Sequence, residues 1–473
     1  MRGRPSAAAC ITAGVVAVLI AAPLAFGAVT PGVLASIELA VFVLGAAALV
    51  VPKTARAVLD PRLSTPLDVP LVMLLGLGLM QLIPLPPAVV GVLSPGKLAW
   101  LADLGLETDR WLPLSMYPYA TWLAVLRIGA AAVLFWLVTR LFTTTGRVRA
   151  MLVALTTLGL FEAAYGLGGY VFDPARILGM QRGAPFDAVT GTFINPNHFA
   201  GLIELLLPAS VAFYLGFVGP GGSTAADRWA RHTVALGAAS VMAVALVCSR
   251  SQTALAISAA ALLMTCVAAM PGRRGAAATI VIAASAAVLL VGDSAAALLA
   301  GAAAGRLDRL AYWHDGVAMA IGFPITGTGL GTWEAVFPIF KTFPAQTTIA
   351  HAHNDYLEIL AEGGVPGLAL FLVILCRLGA TLVRGAVAAT SRERTIIVAL
   401  GTGLALLAVH GLADFNFQIP SNLYLFFAVA GLAIVVARDP SVIPRTPTEG
   451  SAHRSASGRA TTVLGRRRST RVH

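Results

Sequence analysis

The chain has 473 residues, of which 58% are hydrophobic and only 12% are charged. Soluble globular proteins carry about 25% charged residues, so this composition excludes a soluble enzyme, a disordered chain and a small secreted scaffold. The formal net charge is +11, from 33 Lys and Arg against 22 Asp and Glu. Such a surplus would favour a nucleic-acid partner only if the basic residues shared one face.

Twelve apolar stretches are long enough to cross a membrane, since a helix needs about 20 apolar residues to span the hydrocarbon core. They are predicted at 8–29, 33–51, 67–84, 119–142, 150–172, 191–218, 232–248, 252–271, 276–292, 357–376, 395–414 and 421–437. The first follows two arginines, as a signal peptide does, but its apolar part is too long for one and we expect an uncleaved helix. The sequence therefore predicts an all-α polytopic membrane protein with about 12 transmembrane helices.

The basic residues give the predicted helices an orientation. With both termini in the cytoplasm, 24 of the 33 Lys and Arg residues fall inside, eight fall outside, and Arg127 lies within a span. This distribution follows the positive-inside rule. The Arg-rich tail over 438–473 is expected to be disordered and cytoplasmic, where it would meet anionic lipid. The charge surplus is therefore explained by topology, and we expect no nucleic-acid partner.

Three segments on the expected outer side are long enough to carry function, namely 85–118, 173–190 and 293–356. The longest is expected to contain short helices, because Arg306 and Arg309 fall one helical turn apart and Trp313 follows on the same amphipathic element. The GTGLG sequence after it predicts a flexible turn. It is not a dinucleotide-binding fingerprint, since no parallel βαβ unit can form in this context.

Polar residues at the outer ends of the spans are candidates for a site, because an ionisable group at membrane depth costs about 3 kcal/mol. Arg250 lies in a very short turn between two spans, and its planar guanidinium matches a phosphate group. An interfacial anchor is the alternative interpretation. Asn195, Asn197 and His198 begin the sixth span, either as a helix cap or as part of an anion site at a helix start.

A histidine-rich segment stands immediately before the tenth span, where His351, His353, Asn354 and Asp355 lie together. The two histidines have the spacing of metal ligands, but no third ligand lies at a plausible spacing, so we expect no metal. A histidine beside a carboxylate at the membrane face is better suited to act as a general base.

These segments, in this order, resemble the O-antigen ligase family of membrane glycosyltransferases. The most specific signature is His353-Asn354, nine further residues, and then Gly364-Val365-Pro366-Gly367. The segments TGTFINPNHFAG, Ser249-Arg250, the element from Arg306 through PITGTGLG, and HGLADFNFQIPSN are also similar to the family. The resemblance covers roughly 185–430.

The resemblance implies a GT-C-like membrane fold and an inverting glycosyltransferase without a metal or other cofactor. Its donor would be a glycan linked to undecaprenyl pyrophosphate, used at the periplasmic side of a bacterial inner membrane. Arg250 and Arg306 would bind the donor pyrophosphate, and His353 would be the catalytic histidine. The sequence shows no pair of outer carboxylates that would require the glycosidase pattern.

The predicted organisation has three parts: N-terminal transmembrane helices over 1–184, a catalytic membrane region over 185–437 that includes the outer loop 293–356, and the tail. Supporting or acceptor-binding roles are expected for Asn195, Asn197, His198, Trp313, Asn354, Asp355, Gly364 and Gly367.

Several alternatives stay open at this stage. The acceptor could be lipid A core, a growing glycan or a protein hydroxyl, so a polymerase and a protein O-oligosaccharyltransferase share the prediction with a ligase. Twelve spans with internal termini also fit a transporter or a flippase for lipid-linked glycans. Transporters usually show repeated halves and charges at the midplane, whereas here the polar clusters lie toward the expected outer face.

Overall fold

The computed structural model describes residues 6–182, 187–218, 224–269, 309–344 and 348–444. The predicted span at 276–292, the first part of the outer loop with Arg306, and the tail from 445 lie outside these residues. The described chain is helical apart from one short antiparallel hairpin, β1 (Arg176–Ile177) and β2 (Met180–Gln181). It is an all-α polytopic membrane protein, as the composition predicted.

The α-helices follow the predicted spans closely, with short helices between them. They are α1 (Ala7–Leu24), α2 (Pro31–Val50), α3 (Pro52–Val58), α4 (Asp68–Leu82), α5 (Pro87–Leu93), α6 (Pro95–Asp103), α7 (Pro118–Leu141), α8 (Thr145–Phe172), α9 (Pro196–Phe213), α10 (Ala225–Cys248), α11 (Gln252–Ala269), α12 (309–322), α13 (Trp333–Phe340), α14 (Asp355–Ala388), α15 (Ser391–His410) and α16 (Pro420–Arg438). Short 3₁₀ turns occur at Phe26–Ala28, Pro61–Leu63, Asn416–Gln418 and Pro440–Val442, and a π-helical turn at Tyr214–Val218.

Eight described helices are long and apolar enough to cross a membrane. They are Ala7–Leu24, Pro31–Val50, Pro118–Leu141, Thr145–Phe172, Pro196–Phe217, Asp355–Ala388, Arg392–His410 and Pro420–Arg438. Asp68–Leu82 and His232–Cys248 are shorter apolar helices. The count of twelve spans and the GT-C-like arrangement stay predictions.

Helix α16 lies at the centre of the bundle. Its sequence is apolar on all sides, and 94% of its most apolar stretch of 18 residues is buried. It packs against α1, α7, α9, α14 and α15. A helix that is hydrophobic all round must be enclosed by others or by lipid, and here the other helices enclose it. Pro420 begins the helix at a position where the ring fixes a helical φ without removing a needed donor.

Six connecting segments meet at one end of this bundle, which we call the site end: 25–30, 83–117, 187–195, 249–251, 323–344 with 348–354, and 411–419. Direct contacts join them. The backbone N–H of Met116 donates to the Thr328 carbonyl at 2.7 Å, and that of Val189 donates to the Cys248 carbonyl at 2.9 Å. The Thr192 hydroxyl donates to the Pro23 carbonyl at 2.9 Å.

Arginines lie at the opposite end of the bundle. One forms an ion pair with a carboxylate, and two donate to carbonyl groups of the loops at that end. Arg140 pairs with Asp68 at 2.6 Å. Arg438 donates to the Leu63 carbonyl, and Arg377 donates to the Pro66 carbonyl. These residues belong to the population that the sequence assigned to the cytoplasmic side, so they also have a structural role in closing that end.

The GTGLG turn is fixed in place and is not the flexible turn that the sequence predicted. Gly327, Gly329 and Gly331 all adopt positive φ angles. The carboxylate of Glu362 in α14 accepts the backbone N–H groups of Gly331 at 2.8 Å and Trp333 at 2.7 Å. The turn is therefore bonded to the helix that follows the histidine segment.

Gly364 produces a kink in α14 where that turn packs against it. Its φ of 64° and ψ of −168° lie in a region that only glycine occupies readily. A Cβ atom there would lie 2.8 Å from backbone atoms of Ile325 and Gly327. Gly367 has no such restriction, since a Cβ atom would meet only ordinary contacts at 3.5 Å or more.

The two motif glycines therefore differ in a testable way. We expect Gly364→Ala to lower the free energy of unfolding by about 2 kcal/mol, because it adds backbone strain and displaces the GTGLG turn. Gly367→Ala is the matched control, and its effect should stay below about 1 kcal/mol. Thermal unfolding of the two variants in detergent makes the comparison. Equal stability of both variants would show that the kink is not a constraint.

Candidate functional site

His353 stands at the end of the loop that leads into α14. Its φ is 50°, in the left-handed region that few residues other than glycine adopt. Its side chain is 27% exposed. The next residue, Asn354, caps α14 by accepting the backbone N–H groups of Tyr356 and Leu357. Helix capping thus fixes the point at which the chain turns, and it presents the His353 ring at the site end.

Asp414 is the carboxylate that His353 contacts. Oδ1 of Asp414 lies 3.3 Å from Nδ1 of His353, and the Asp414 side chain is completely buried. Burial raises the pKa of the Asp414 carboxyl, but the contact with His353 outweighs it and leaves the pKa below its usual range. Asp414 is therefore ionised next to the histidine.

Arg309, at the start of the described part of α12, lies on the other side of Asp414. Its Nη2 is 3.7 Å from Asp414 Oδ2, and its Nη1 donates to the Ala413 carbonyl at 2.7 Å. One turn further on, Trp313 Nε1 donates to the Ala352 carbonyl at 3.0 Å. Helix α12 is thus bonded both to the loop with Asp414 and to the loop with His353.

The ring of Phe415 is surrounded by three histidines. The ring centres of His198, His351 and His353 lie 4.6, 4.3 and 4.7 Å from that of Phe415. His351 is held by Glu358, whose Oε1 lies 2.7 Å from its Nδ1. Phe415 therefore separates His353 from the two other histidines and fills the space behind it.

Asp355 stabilises the same loops. Its side chain is buried and accepts the backbone N–H of Phe417 at 3.2 Å. Its own backbone N–H donates to the carbonyls of Gly411 and Asp414. The sequence predicted a supporting role for Asp355, and the structure places it between α14 and the 411–419 loop, away from the exposed edge of His353.

The residues at the start of α9 have two different surroundings. Asn195 is the cap, since its side chain accepts the backbone N–H of Asn197 at 2.8 Å. His198 is buried against Phe415, and its carbonyl accepts the Asn422 amide. The cap interpretation therefore describes Asn195, while His198 belongs to the surroundings of His353.

Arg250 lies in a separate part of the site end. It also has a left-handed backbone, with φ 55°. Its guanidinium donates to Asp187 at 2.5 Å, and Tyr170 donates to the same carboxylate at 2.8 Å. The hydrogen bond from Tyr170, followed by Arg250, lowers the pKa of Asp187. Arg250 and Asp187 are both exposed, so the Arg250 guanidinium is accessible. It already binds one oxyanion, the Asp187 carboxylate.

The structure thus brings together part of the predicted set. The 411–419 loop is contacted by His353, Asp355 and His198. Trp313 and Asn354 are bonded to the chain on either side of His353. Arg250 is held elsewhere at the site end, Arg306 lies outside the described residues, and Gly364 and Gly367 shape α14. Within the described ranges, no group of three or more His, Cys, Asp or Glu residues is arranged to hold a metal ion.

Sequence reasoning did not single out Asp414, Phe415 or the role of Arg309. Asp414 and Phe415 lie in HGLADFNFQIPSN, a segment that carried the resemblance without any residue being chosen from it. The signal was an aspartate in a short polar break between two apolar helices. Only the fold shows that this break faces His353.

Comparison with known families bears on the same segments. Residues 237–372 match the family model described as O-antigen ligase. The match supports the resemblance of this segment to the O-antigen ligase family. The matched segment includes Arg250, α12, His353, Gly364 and Gly367. The start of α9 and Asp414 lie outside it. No curated protein matches the chain.

The contact between α12 and the histidine loop gives a test of this geometry. Trp313→Phe keeps the aromatic ring but removes the donor to Ala352, so we expect the free energy of unfolding to fall by about 1 kcal/mol. We also expect faster proteolytic cleavage in the 341–352 loop. Trp229→Phe, at an exposed position of α10, is the matched control. Identical cleavage rates in both variants would contradict a structural role for the Trp313 hydrogen bond.

Proposed function

We propose that this O-antigen ligase-like protein transfers a glycan from an undecaprenyl-pyrophosphate-linked donor to an acceptor hydroxyl at the outer face of a bacterial inner membrane. The observation that carries the proposal is the contact between His353 and the buried, ionised Asp414. A partly exposed imidazole with a carboxylate on one nitrogen is the arrangement of a general base.

The protonation states follow from this contact. A carboxylate next to Nδ1 favours the tautomer in which that nitrogen carries the proton. Nε2 of His353 is then the acceptor, and it takes the proton from the attacking hydroxyl. Asp414 stabilises the imidazolium that forms, and Arg309 fixes Asp414 without competing for the hydroxyl. In this scheme Asp414 is a positioning residue and His353 is the catalytic residue.

Positive charge is needed where the bond to the pyrophosphate breaks. In this proposal Arg250 and Arg306 bind the donor pyrophosphate, in agreement with the resemblance. The exposed Arg250 already binds a carboxylate, Asp187, which supports its ability to bind a phosphate oxygen. Arginines directed at the developing charge supply the electrostatic stabilisation that the departing diphosphate requires, without a metal.

A single displacement follows from these roles. The hydroxyl oxygen attacks the anomeric carbon as the bond to the diphosphate oxygen breaks, so the configuration inverts. Asn197 and Trp313 are proposed to contribute to the acceptor side. A partly exposed base acts on any hydroxyl that is positioned next to it. A polymerase or a protein glycosyltransferase would therefore use the same base and the same arginines.

Substitution of His353 tests the mechanism. We expect His353→Ala to slow glycan transfer about 100- to 10,000-fold, because the attacking hydroxyl loses its base. Asp414→Asn should slow it less, since the base remains but its tautomer and orientation are no longer fixed. Transfer is measured in membranes supplied with extracted lipid-linked glycan. His232→Ala, which lies near the start of α10 and contacts Tyr214, is the control and should keep wild-type transfer.

The pyrophosphate role has its own test. We expect Arg250→Ala to reduce transfer about 100- to 1,000-fold, while Arg176→Ala, on the same side but exposed and paired only loosely with Asp173, should have little effect. Equal activity of these two variants would contradict the proposal.

Deletion of the gene distinguishes the competing activities. Long lipid-linked chains accumulate when a ligase is lost, and single lipid-linked repeat units accumulate when a polymerase is lost. An unchanged glycan profile with altered solute uptake would favour a transporter over any glycosyltransferase.

A further inference from the structure

A cavity of 220 Å³ lies at the site end, apart from His353. Three short elements form it: α6, the last turn of α12 with the residues that follow, and α13. The lining is Gly96, Ala99, Trp100, Asp103, Met116, Gly322, Phe323, Val336, Ile339 and Phe340. This volume is below the roughly 300 to 1,000 Å³ of sites for drug-sized ligands, so it suits a single ring.

The cavity is connected to the proposed reaction site by one rigid element. Helix α12 carries Arg309 and Tyr312 near its described start, where the Tyr312 ring lies 6.1 Å from that of His353. Gly322 lines the cavity at the other end of the same helix. At 1.5 Å per residue, the ten residue steps from Tyr312 to Gly322 span about 15 Å. A chain of several sugars can bridge this distance.

The element that supplies Trp100 and Asp103 is held firmly. The Lys97 ammonium donates to the carbonyls of Pro113 and Ser115, both at 2.7 Å. Gly96 lies so close to α12 that a Cβ atom on it would be 2.4 Å from the Gly322 carbonyl oxygen. Helix α6 is therefore fixed against α12, and the cavity between them does not depend on a mobile loop.

The chemistry of the lining is compatible with a sugar. Trp100 and Phe340 supply aromatic surface, and an aromatic face attracts the C–H groups of a pyranose ring. Asp103 is exposed at the edge of the cavity. An exposed carboxylate accepts hydrogen bonds from sugar hydroxyls that reach it.

We propose that this cavity binds one pyranose ring of a glycan chain whose reacting end is at His353. Trp100 stacks on the ring and Asp103 accepts from its hydroxyls. The proposal rests on the glycosyl transfer proposed above. The ring belongs to either the donor glycan or the acceptor glycan, and the two share this chemistry.

The direct test is binding without transfer. The probe is envelope glycan from the producing cells, freed from its lipid by mild acid and titrated into the purified protein while the heat of binding is followed by calorimetry. We expect Trp100→Ala and Asp103→Asn each to weaken binding about tenfold, the loss of one hydrogen bond to a charged group being of this size. Trp100→Phe should retain most of the affinity.

Two matched controls lie in the same outer loop but do not line the cavity. Trp111→Ala and Asp109→Asn change exposed residues of the same types, and both should bind as the wild type does. Unchanged binding in Trp100→Ala and Asp103→Asn would overturn the proposal. So would a copurified phospholipid, seen by native mass spectrometry, that is lost only in Trp100→Ala.

Kinetics then assigns the ring to one glycan. In the transfer assay, Trp100→Ala should raise the KM for either the donor or the acceptor about tenfold and leave kcat nearly unchanged. If His353→Ala abolishes transfer while Trp100→Ala changes neither KM, the cavity proposal fails and the proposed function stands. If His353→Ala retains transfer, the proposed function fails, and the binding titration still decides whether the cavity takes a sugar.

Discussion

The arrangement of the site end depends on the buried carboxylate of Asp414. An ionised group removed from water is stable only when charges and donors surround it. The backbone N–H of Phe415 donates to Asp414 Oδ1 at 2.9 Å. The basic neighbours come from separate parts of the chain: His353 at 3.3 Å, from the loop before α14, and Arg309 at 3.7 Å, from α12. Three segments must meet for this carboxylate to be tolerated. The contact between His353 and Asp414 is therefore needed both for folding and for the proposed chemistry of the site.

The backbone adds a second constraint at the same places. Five described residues other than glycine have positive φ angles, and His353 and Arg250 are two of them. Such conformations cost about 1 to 3 kcal/mol and persist only where the surrounding structure fixes them. At His353 the fixing groups are the Asn354 cap and the hydrogen bond from Trp313 to Ala352. At Arg250 it is the pairing of Val189 with Cys248. The backbone therefore fixes the point and the direction at which both side chains leave the chain.

Local patterns were enough to predict much of this structure. Apolar length predicted the helices, Asn354 was recognisable at a helix start, and the glycine at 364 was part of a specific spacing. Contacts between distant segments were not predictable, because no local pattern encodes them. The sequence did not show that Asp414 would face His353. The GTGLG turn was expected to be flexible because its glycines are visible in the sequence, while the carboxylate of Glu362 that holds it lies on a later helix.

In the proposed reaction, the choice of acceptor is best sought outside the reacting groups. A histidine base removes a proton from any hydroxyl that is positioned next to it, so the proposed base His353 would not by itself discriminate between acceptors. The family match ends at 372 and begins at 237, and it contains α12 and α13. Trp100 and Asp103 come from α6, outside the match, and complete a cavity with those two helices. A segment outside the matched region is thus held against it at a fixed distance from His353. Under the two proposals, differences in this segment would change which glycan is held without altering the reacting groups.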